Sequence, residues 1–174
     1  MDLGATISKI CLLFNEIAQA KGTSITVTID RSCPKRVLCD RNRLTQVLNN
    51  LVNSACKFTD KGRITIRVTG EKLTGDTVRV YFSERIPASG SPNNHLEEIF
   101  LPFKQIEISD HRAFGGTGLG LAIVARLVKL MGGKIRVKSQ LGVGTTFSFP
   151  IRTDSDASMS AWMIVLASHT GSII

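Results

Sequence analysis

Between Gln46 and Lys57 the sequence reads QVLNNLVNSACK. On a helical wheel Leu44, Val47, Leu48, Leu51, Val52, Ala55 and Phe58 gather on one side, and Gln46, Asn50, Asn53, Ser54 and Lys57 on the other. A solvated helix face ordinarily carries Glu, Lys and Arg, whereas Asn and Ser are mediocre helix formers. Neutral oxygen ligands one turn apart suit a hydrated Mg²⁺ ion, which takes only one or two protein ligands beside phosphate oxygens. Lys57, two turns beyond Asn50, can meet a phosphate as a point charge. An Asn-rich surface helix fits the same residues, so the pattern alone leaves both readings open.

A second stretch, AFGGTGLGLAIV at 113–124, places four glycines just before an apolar run. It is not a P-loop, because Leu121 follows Gly120 where Lys is required, and it fails the dinucleotide fingerprint on spacing. What remains is Gly116-Thr-Gly-Leu-Gly120 running into a helix, with Thr117, Leu119 and Leu121 interleaved. Glycine backbone can close its N–H groups on oxyanions, and a helix N-terminus adds the positive end of its dipole. A flexible linker would not be followed by so apolar a helix. Leu119, Leu121, Ile123, Val128, Leu130 and Met131 are predicted to anchor it on a sheet.

The elements that must position these residues follow from periodicity. Residues 3–21 carry apolar side chains at Leu3, Ile7, Ile10, Cys11, Phe14, Ile17 and Ala18, a helical spacing closed by Gly22. SITVTID alternates as a half-buried strand, and RVLC is a further short one. Asp40 reads as the N-cap of a helix through Phe58. RITIRVTG (63–70) and TVRVYF (77–82) form a hairpin, residues 83–115 a polar loop broken by LEEIFLPF, and KIRVKS and TTFSFPI a last hairpin. This order predicts an α/β two-layer sandwich, a mixed and mostly antiparallel sheet with helices over one face. One domain is expected over 1–152. Residues 153–174 read as a small-polar linker and an apolar tail.

The bulk composition is consistent with this. The 174 residues are 43% hydrophobic, enough for one core. No apolar run approaches a membrane span, and no signal peptide is read, so a cytoplasmic location without membrane contact is expected. The net charge of +8 is dispersed, and a single Tyr and a single Trp leave few aromatics to interleave with it, which argues against nucleic acid. Cys11, Cys33, Cys39 and Cys56 form no CxxC pair and read as reduced thiols; His95, His111 and His169 show no zinc spacing with them.

Taken together, RVLCDRNRLTQVLNNLVNSACKFTDKG, EEIFLPF, GGTGLGLAIV and GVGTTFSF resemble, in order and spacing, four motifs of one family. They are similar to the N box, F box, second glycine box and closing Gly-x-Gly-Thr segment of the ATP-binding catalytic domain of sensor histidine kinases. That family belongs to the gyrase/Hsp90/MutL ATPase superfamily, with its Bergerat-type fold. The resemblance covers roughly residues 3–151. It implies ATP and Mg²⁺ as cofactors, with Asn50 as the metal ligand and Lys57 at the phosphates. Ser54 stands where a second N-box Asn belongs, with Asn53 displaced from it by one position, and both are implied near the nucleotide. Gly116, Thr117, Gly118, Leu119, Gly120 and Leu121 are implied around the phosphates, and Thr145 at the adenine edge. Phe100 and Phe103 are implied as anchors of an ATP lid over about 104–115. Gln46 occupies the place where hydrolytic branches keep a Glu to activate water; an amide cannot act as that base.

The departures carry equal weight. The family's first glycine box, Asp-x-Gly-x-Gly, is expected directly after VRVYF, but the chain reads SERIPASG. With Ser83 for the Asp, a charge-assisted hydrogen bond to the adenine amino group worth about 1.5–3 kcal/mol is lost. Arg85 and Pro87 do not give glycine's close approach. No histidine sits in a phospho-acceptor context. The resemblance therefore implies a catalytic domain of a hybrid histidine kinase. Its acceptor and dimerisation helices lie upstream or on another chain, the full-length protein is a homodimer, and a response-regulator receiver domain is a partner, beginning in the tail. The alternative is a degenerate, pseudokinase-like interaction module with little nucleotide affinity. A gyrase- or MutL-type ATPase is disfavoured by Gln46 and the F box.

Overall fold

The computed structural model describes residues 1–73, 77–86, 96, 98–103, 118–140 and 143–155. Helix α1 spans Leu3–Ala20, its N-terminus capped by the Asp2 carboxylate, which accepts from the Ala5 amide at 2.8 Å. Gly22, at φ +65°, turns the chain out of it. Leu3, Ile7, Ile10 and Ala18 are buried as the spacing predicts, whereas Ile17 lies exposed beside Leu12 and Leu13. Strand β1 (Ser24–Ile29) and the short β2 (Val37–Leu38) follow.

Helix α2 spans Arg41–Phe58 and begins where the sequence placed it: the Asp40 side chain accepts from the Arg43 amide at 3.0 Å. Its C-terminus is held by Lys21. That ammonium donates to the carbonyls of Cys56 (3.1 Å) and Lys57 (2.9 Å) and pairs with Asp60 at 3.4 Å, a cation at the negative end of the helix. Leu44, Val47, Leu48, Leu51, Val52, Ala55 and Cys56 are buried. Phe58, assigned to this face from sequence, is half exposed.

Strands β3 (Arg63–Lys72) and β4 (Thr77–Ile86) form the predicted hairpin. β4, however, runs past Phe82 through Ile86, so residues 83–86 are strand rather than the start of a loop. Helix α3 (Gly120–Leu130), β5 (Arg136–Gln140) and β6 (Gly144–Ser155) complete the fold. The sheet has six strands in the order β1-β3-β4-β6-β2, with β5 also along β6. Among the described residues only β1 and β3 run parallel, because α2 carries the chain between them as a crossover; the other pairs are antiparallel. The architecture is the expected mixed α/β sandwich.

The core lies between the helices and one sheet face. On β3 Ile64, Ile66 and Val68 point inward while Arg63 and Arg67 face solvent. Val80 and Phe82 of β4 and Phe147, Phe149 and Ile151 of β6 join them, and the Phe82 and Phe149 rings stack at 4.9 Å. α3 presents Val124 and Val128 to this core and packs along α2. Of its predicted anchors Val128 is buried as expected, whereas Ile123 and Leu130 are exposed, and Val124, beside Ile123, is buried in its place. β6 continues through Ser155 and pairs with β2, where the Thr153 hydroxyl donates to the Leu38 carbonyl at 2.6 Å. All four cysteines are free thiols, and burial pushes those of Cys33 and Cys39 above their ordinary pKa. Among the described residues no helix is long and apolar enough to cross a membrane.

Candidate functional site

The packing of α3 along α2 brings the two chemically suggestive stretches together. A Cβ built on Gly120 would lie 3.6 Å from Oδ1 of Asn50. Asn50 holds its amide in place by donating from Nδ2 to the Gln46 carbonyl at 3.0 Å, and the Ser54 hydroxyl donates to the Asn50 carbonyl at 2.8 Å. Ser54 is therefore spent on a local backbone bond one turn back. Gln46 and Asn53 are exposed, and Asn50, Ser54 and Lys57 are half-buried. Lys57 reaches along the helix surface with Nζ 5.2 Å from the centre of the Phe58 ring.

Gly118, at φ +67°, bends the chain into α3 through a conformation that side chains rarely adopt. Leu119 is the N-cap, and among the described residues no side chain caps the helix there. The first-turn N–H groups thus point out of the helix toward the space beside Asn50, with the positive end of the dipole behind them. Leu121 is half-buried against the core. Gly116 and Thr117 lie outside the described residues, as do the lid at 104–115, His95, His111 and His169.

Thr145 stands at the start of β6, paired in the ladder with backbone position 86 of β4 and with Ser139 of β5. Its hydroxyl lies 2.8 Å from that of the buried Ser139, an orienting contact that sequence reading missed. The signal was present: counting back across the QLGVG turn places Ser139 opposite Thr145. The F-box segment forms a 3-10 turn at Glu98–Phe100, with Phe100 edge-on to Phe147 at 6.3 Å. Phe103, at φ +63°, is 75% exposed, and the lid it is expected to anchor lies outside the described residues.

An apolar pocket lined by Leu48, Leu51, Val52, Ile66, Phe82, Phe147 and Phe149 lies on the core side of α2. It is packing space behind the helix and touches neither Asn50 nor Lys57. The chemical content of the site is therefore a carboxamide oxygen beside the N-terminus of α3, with a lysine two turns farther along α2. That donor set fits a polyphosphate with a hard divalent cation: neutral oxygen for the metal, N–H groups and an ammonium for the phosphates.

Residues 39–155 match the family described as histidine kinase-, DNA gyrase B-, and HSP90-like ATPase. The chain is 41% identical over 140 residues to the hybrid signal transduction protein dokA of Dictyostelium discoideum, covering 78% of this chain and 8% of that protein. It is 37% identical over 152 residues to the signal transduction histidine-protein kinase BarA of Escherichia coli K12, covering 87% and 17%. This chain thus spans a small part of the curated relatives it matches. Among solved structures it is similar to full-length ShkA in complex with AMPPNP, at a TM-score of 0.74 and 32% identity, covering 89% of this chain and 31% of that one. It is also similar to the nucleotide-free catalytic domain of histidine kinase ThkA, at a TM-score of 0.66 and 29% identity, covering 89% and 96%. With fold, motif order and sequence in agreement, the chain belongs to the histidine kinase-, DNA gyrase B-, and HSP90-like ATPase family, as a histidine kinase catalytic domain.

Proposed function

We propose that this chain binds Mg²⁺–ATP between α2 and the N-terminus of α3 and presents the γ-phosphate to a histidine on a dimerisation helix outside the chain. The observation that carries this reading is the approach of Gly120 to Asn50 Oδ1, which sets the N-terminus of α3 beside the carboxamide oxygen that would serve as a metal ligand. Asn50 would hold the ion; when bound, Mg²⁺ neutralises charge on the phosphates. Lys57 and the N–H groups after Gly118 orient the phosphate chain, with Gly116 and Thr117 extending that grip. The Thr145 hydroxyl, turned by Ser139, meets the adenine edge. An imidazole nitrogen attacks the γ-phosphorus in line, forming an N–P bond as the bridging P–O bond breaks and ADP leaves. The chain contributes positioning and electrostatics rather than a covalent group. Gln46 supplies no base for water, which favours transfer over hydrolysis.

In this reading the chain works within a hybrid kinase, with acceptor helices in a homodimer and a receiver domain as partners, in the cytoplasm, and the residues after Ser155, the end of β6, link to a following domain. A second reading has a specific observation behind it. β4 continues as strand where Asp-x-Gly-x-Gly is expected, which favours a pseudokinase-like interaction module. Titration of the chain with Mg²⁺–AMPPNP, followed by calorimetry and thermal unfolding, separates the two. At a hundred times Kd a binding chain gains about 2.7 kcal/mol of stability. No shift at millimolar nucleotide favours the interaction module.

A further inference from the structure

The extension of β4 relocates the departure in the nucleotide site. Ser83 pairs with Ser148, while position 86, the last of the strand, pairs with Thr145. A carboxylate meant to share the adenine edge with Thr145 belongs at the end of β4, at the junction of Arg85 and Ile86, rather than at Ser83. We propose that an Asp-x-Gly-x-Gly segment fitting that place is present in the gene of this chain, one nucleotide out of frame, over the codons for Arg85–Pro92. The inference rests on the nucleotide-binding reading proposed above.

The genetic code supplies the argument. The sequence here is Arg85-Ile-Pro-Ala-Ser-Gly-Ser-Pro92. The first two bases of these codons are AU for Ile86, CC for Pro87, GC for Ala88, GG for Gly90 and CC for Pro92. Ser89 and Ser91 give UC in their four-codon set. Reading from the third base of codon 85 makes each pair the last two letters of a new triplet. With third bases G, A, G, A, G, A and C, which the code allows at codons 85 to 91, the triplets GAU, ACC, GGC, AUC, GGG, AUC and CCC specify Asp-Thr-Gly-Ile-Gly-Ile-Pro. The Asp falls at the Arg85–Ile86 junction, beside the position paired with Thr145, and both glycines follow the end of the strand, where backbone must approach a ligand closely.

A short excursion out of frame and back leaves both flanks intact, and this chain has that character. Before it, Val80 and Phe82 are buried core residues of β4; after it, Ile99 and Phe100 pack against the core. Independent decay by point substitution would have to remove the Asp and both glycines, and it gives no reason for the matching base pairs. In the present frame Arg85 and Ile86 stand at the place of the Asp, and Pro87 and Ala88 at that of the first glycine, so the adenine amino group has lost its acceptor.

Sequencing the genomic DNA and transcript across codons 85–92 tests this directly. The expected third bases are G, A, G, A, G, A and C at codons 85 to 91. Any base other than G at codons 85, 87 or 89 overturns the proposal, since the shifted Asp and glycines then vanish. A chain in which Arg85–Pro92 is replaced by Asp-Thr-Gly-Ile-Gly-Ile-Pro is titrated beside the parent with Mg²⁺–AMPPNP. It is expected to bind at least about tenfold tighter. Codons that fit, with no gain in affinity and unchanged circular dichroism, uphold the frame relationship and overturn the nucleotide reading beneath it.

Discussion

Asn50 and Asn53 carry the same amide on the same helix, yet the fold treats them differently. Asn50 is half-buried, tied to Gln46 and aimed at the start of α3, while Asn53 is exposed. The resemblance alone left their roles to be divided, because the second N-box position holds Ser54 and the spare Asn is about 100° away around the helix. A metal ligand must lie beside the phosphate donors, and Asn50 Oδ1 lies next to Gly120 at the start of α3. Calorimetric titrations at several Mg²⁺ concentrations check this. Asn50→Asp is expected to shift the Mg²⁺ midpoint for nucleotide binding by about tenfold, and Asn53→Asp by less than about twofold, because only the former alters an inner ligand. Equal shifts would put the ligating face on the wrong side of α2.

At the scale of elements, two glycines flanking α3 have opposite reasons to be glycine. A Cβ at Gly133 would lie 2.0 Å from the Pro150 carbonyl oxygen and 3.1 Å from Val128, so the turn after α3 closes directly onto β6. A Cβ at Gly120 meets only Asn50 Oδ1, at an ordinary contact distance, in the first turn of a helix. In urea unfolding, Gly133→Ala is expected to cost about 3 kcal/mol or more, since backbone has to move. Gly120→Ala is expected to leave stability unchanged or raise it by up to about 1 kcal/mol. The same Gly120→Ala chain should lose nucleotide affinity, because the methyl group fills space between Asn50 and the helix N-terminus. A loss of stability in Gly120→Ala comparable to that in Gly133→Ala would mean that this glycine serves packing rather than a ligand. Much of this was legible in sequence. Asp40 as a cap, the amide face of α2 and both hairpins rest on local rules of capping and alternation that the tertiary structure leaves in force. The illegible part depends on neighbours. On α3 Val124 is buried rather than Ile123, because the helix packs against α2 as well as the sheet. The end of β4 is set by β3 and β6 on either side, which extend the ladder through Arg85 and Ile86 whatever their propensities.

For the molecule as a whole, the question is where the folded unit closes. Composition changes after Arg152, yet the sheet does not end there. Val37 pairs with Ser155 and Leu38 with Asp154, and the Thr153 hydroxyl donates to Leu38. β2 in turn ties down the start of α1, through the Val37 amide to the Met1 carbonyl at 2.9 Å and the Leu3 amide to the Lys35 carbonyl at 3.1 Å. The last residues of β6 thus couple the sheet edge to the first helix, although they lie at opposite ends of this sequence. A chain ending at Arg152 loses that clasp. With two or three hydrogen bonds gone at about 1 kcal/mol each, its melting temperature is expected to fall by about 4–8 °C relative to the chain through Ile174. A chain ending at Ser155 keeps the clasp and is expected to melt within about 2 °C of the longer one. Differential scanning calorimetry of the three chains distinguishes the outcomes. A drop for the Ser155 chain as large as for the Arg152 chain would show that the apolar segment Ala161–Ala167 docks on the domain, against the reading of the residues after Ser155 as a link to a further domain.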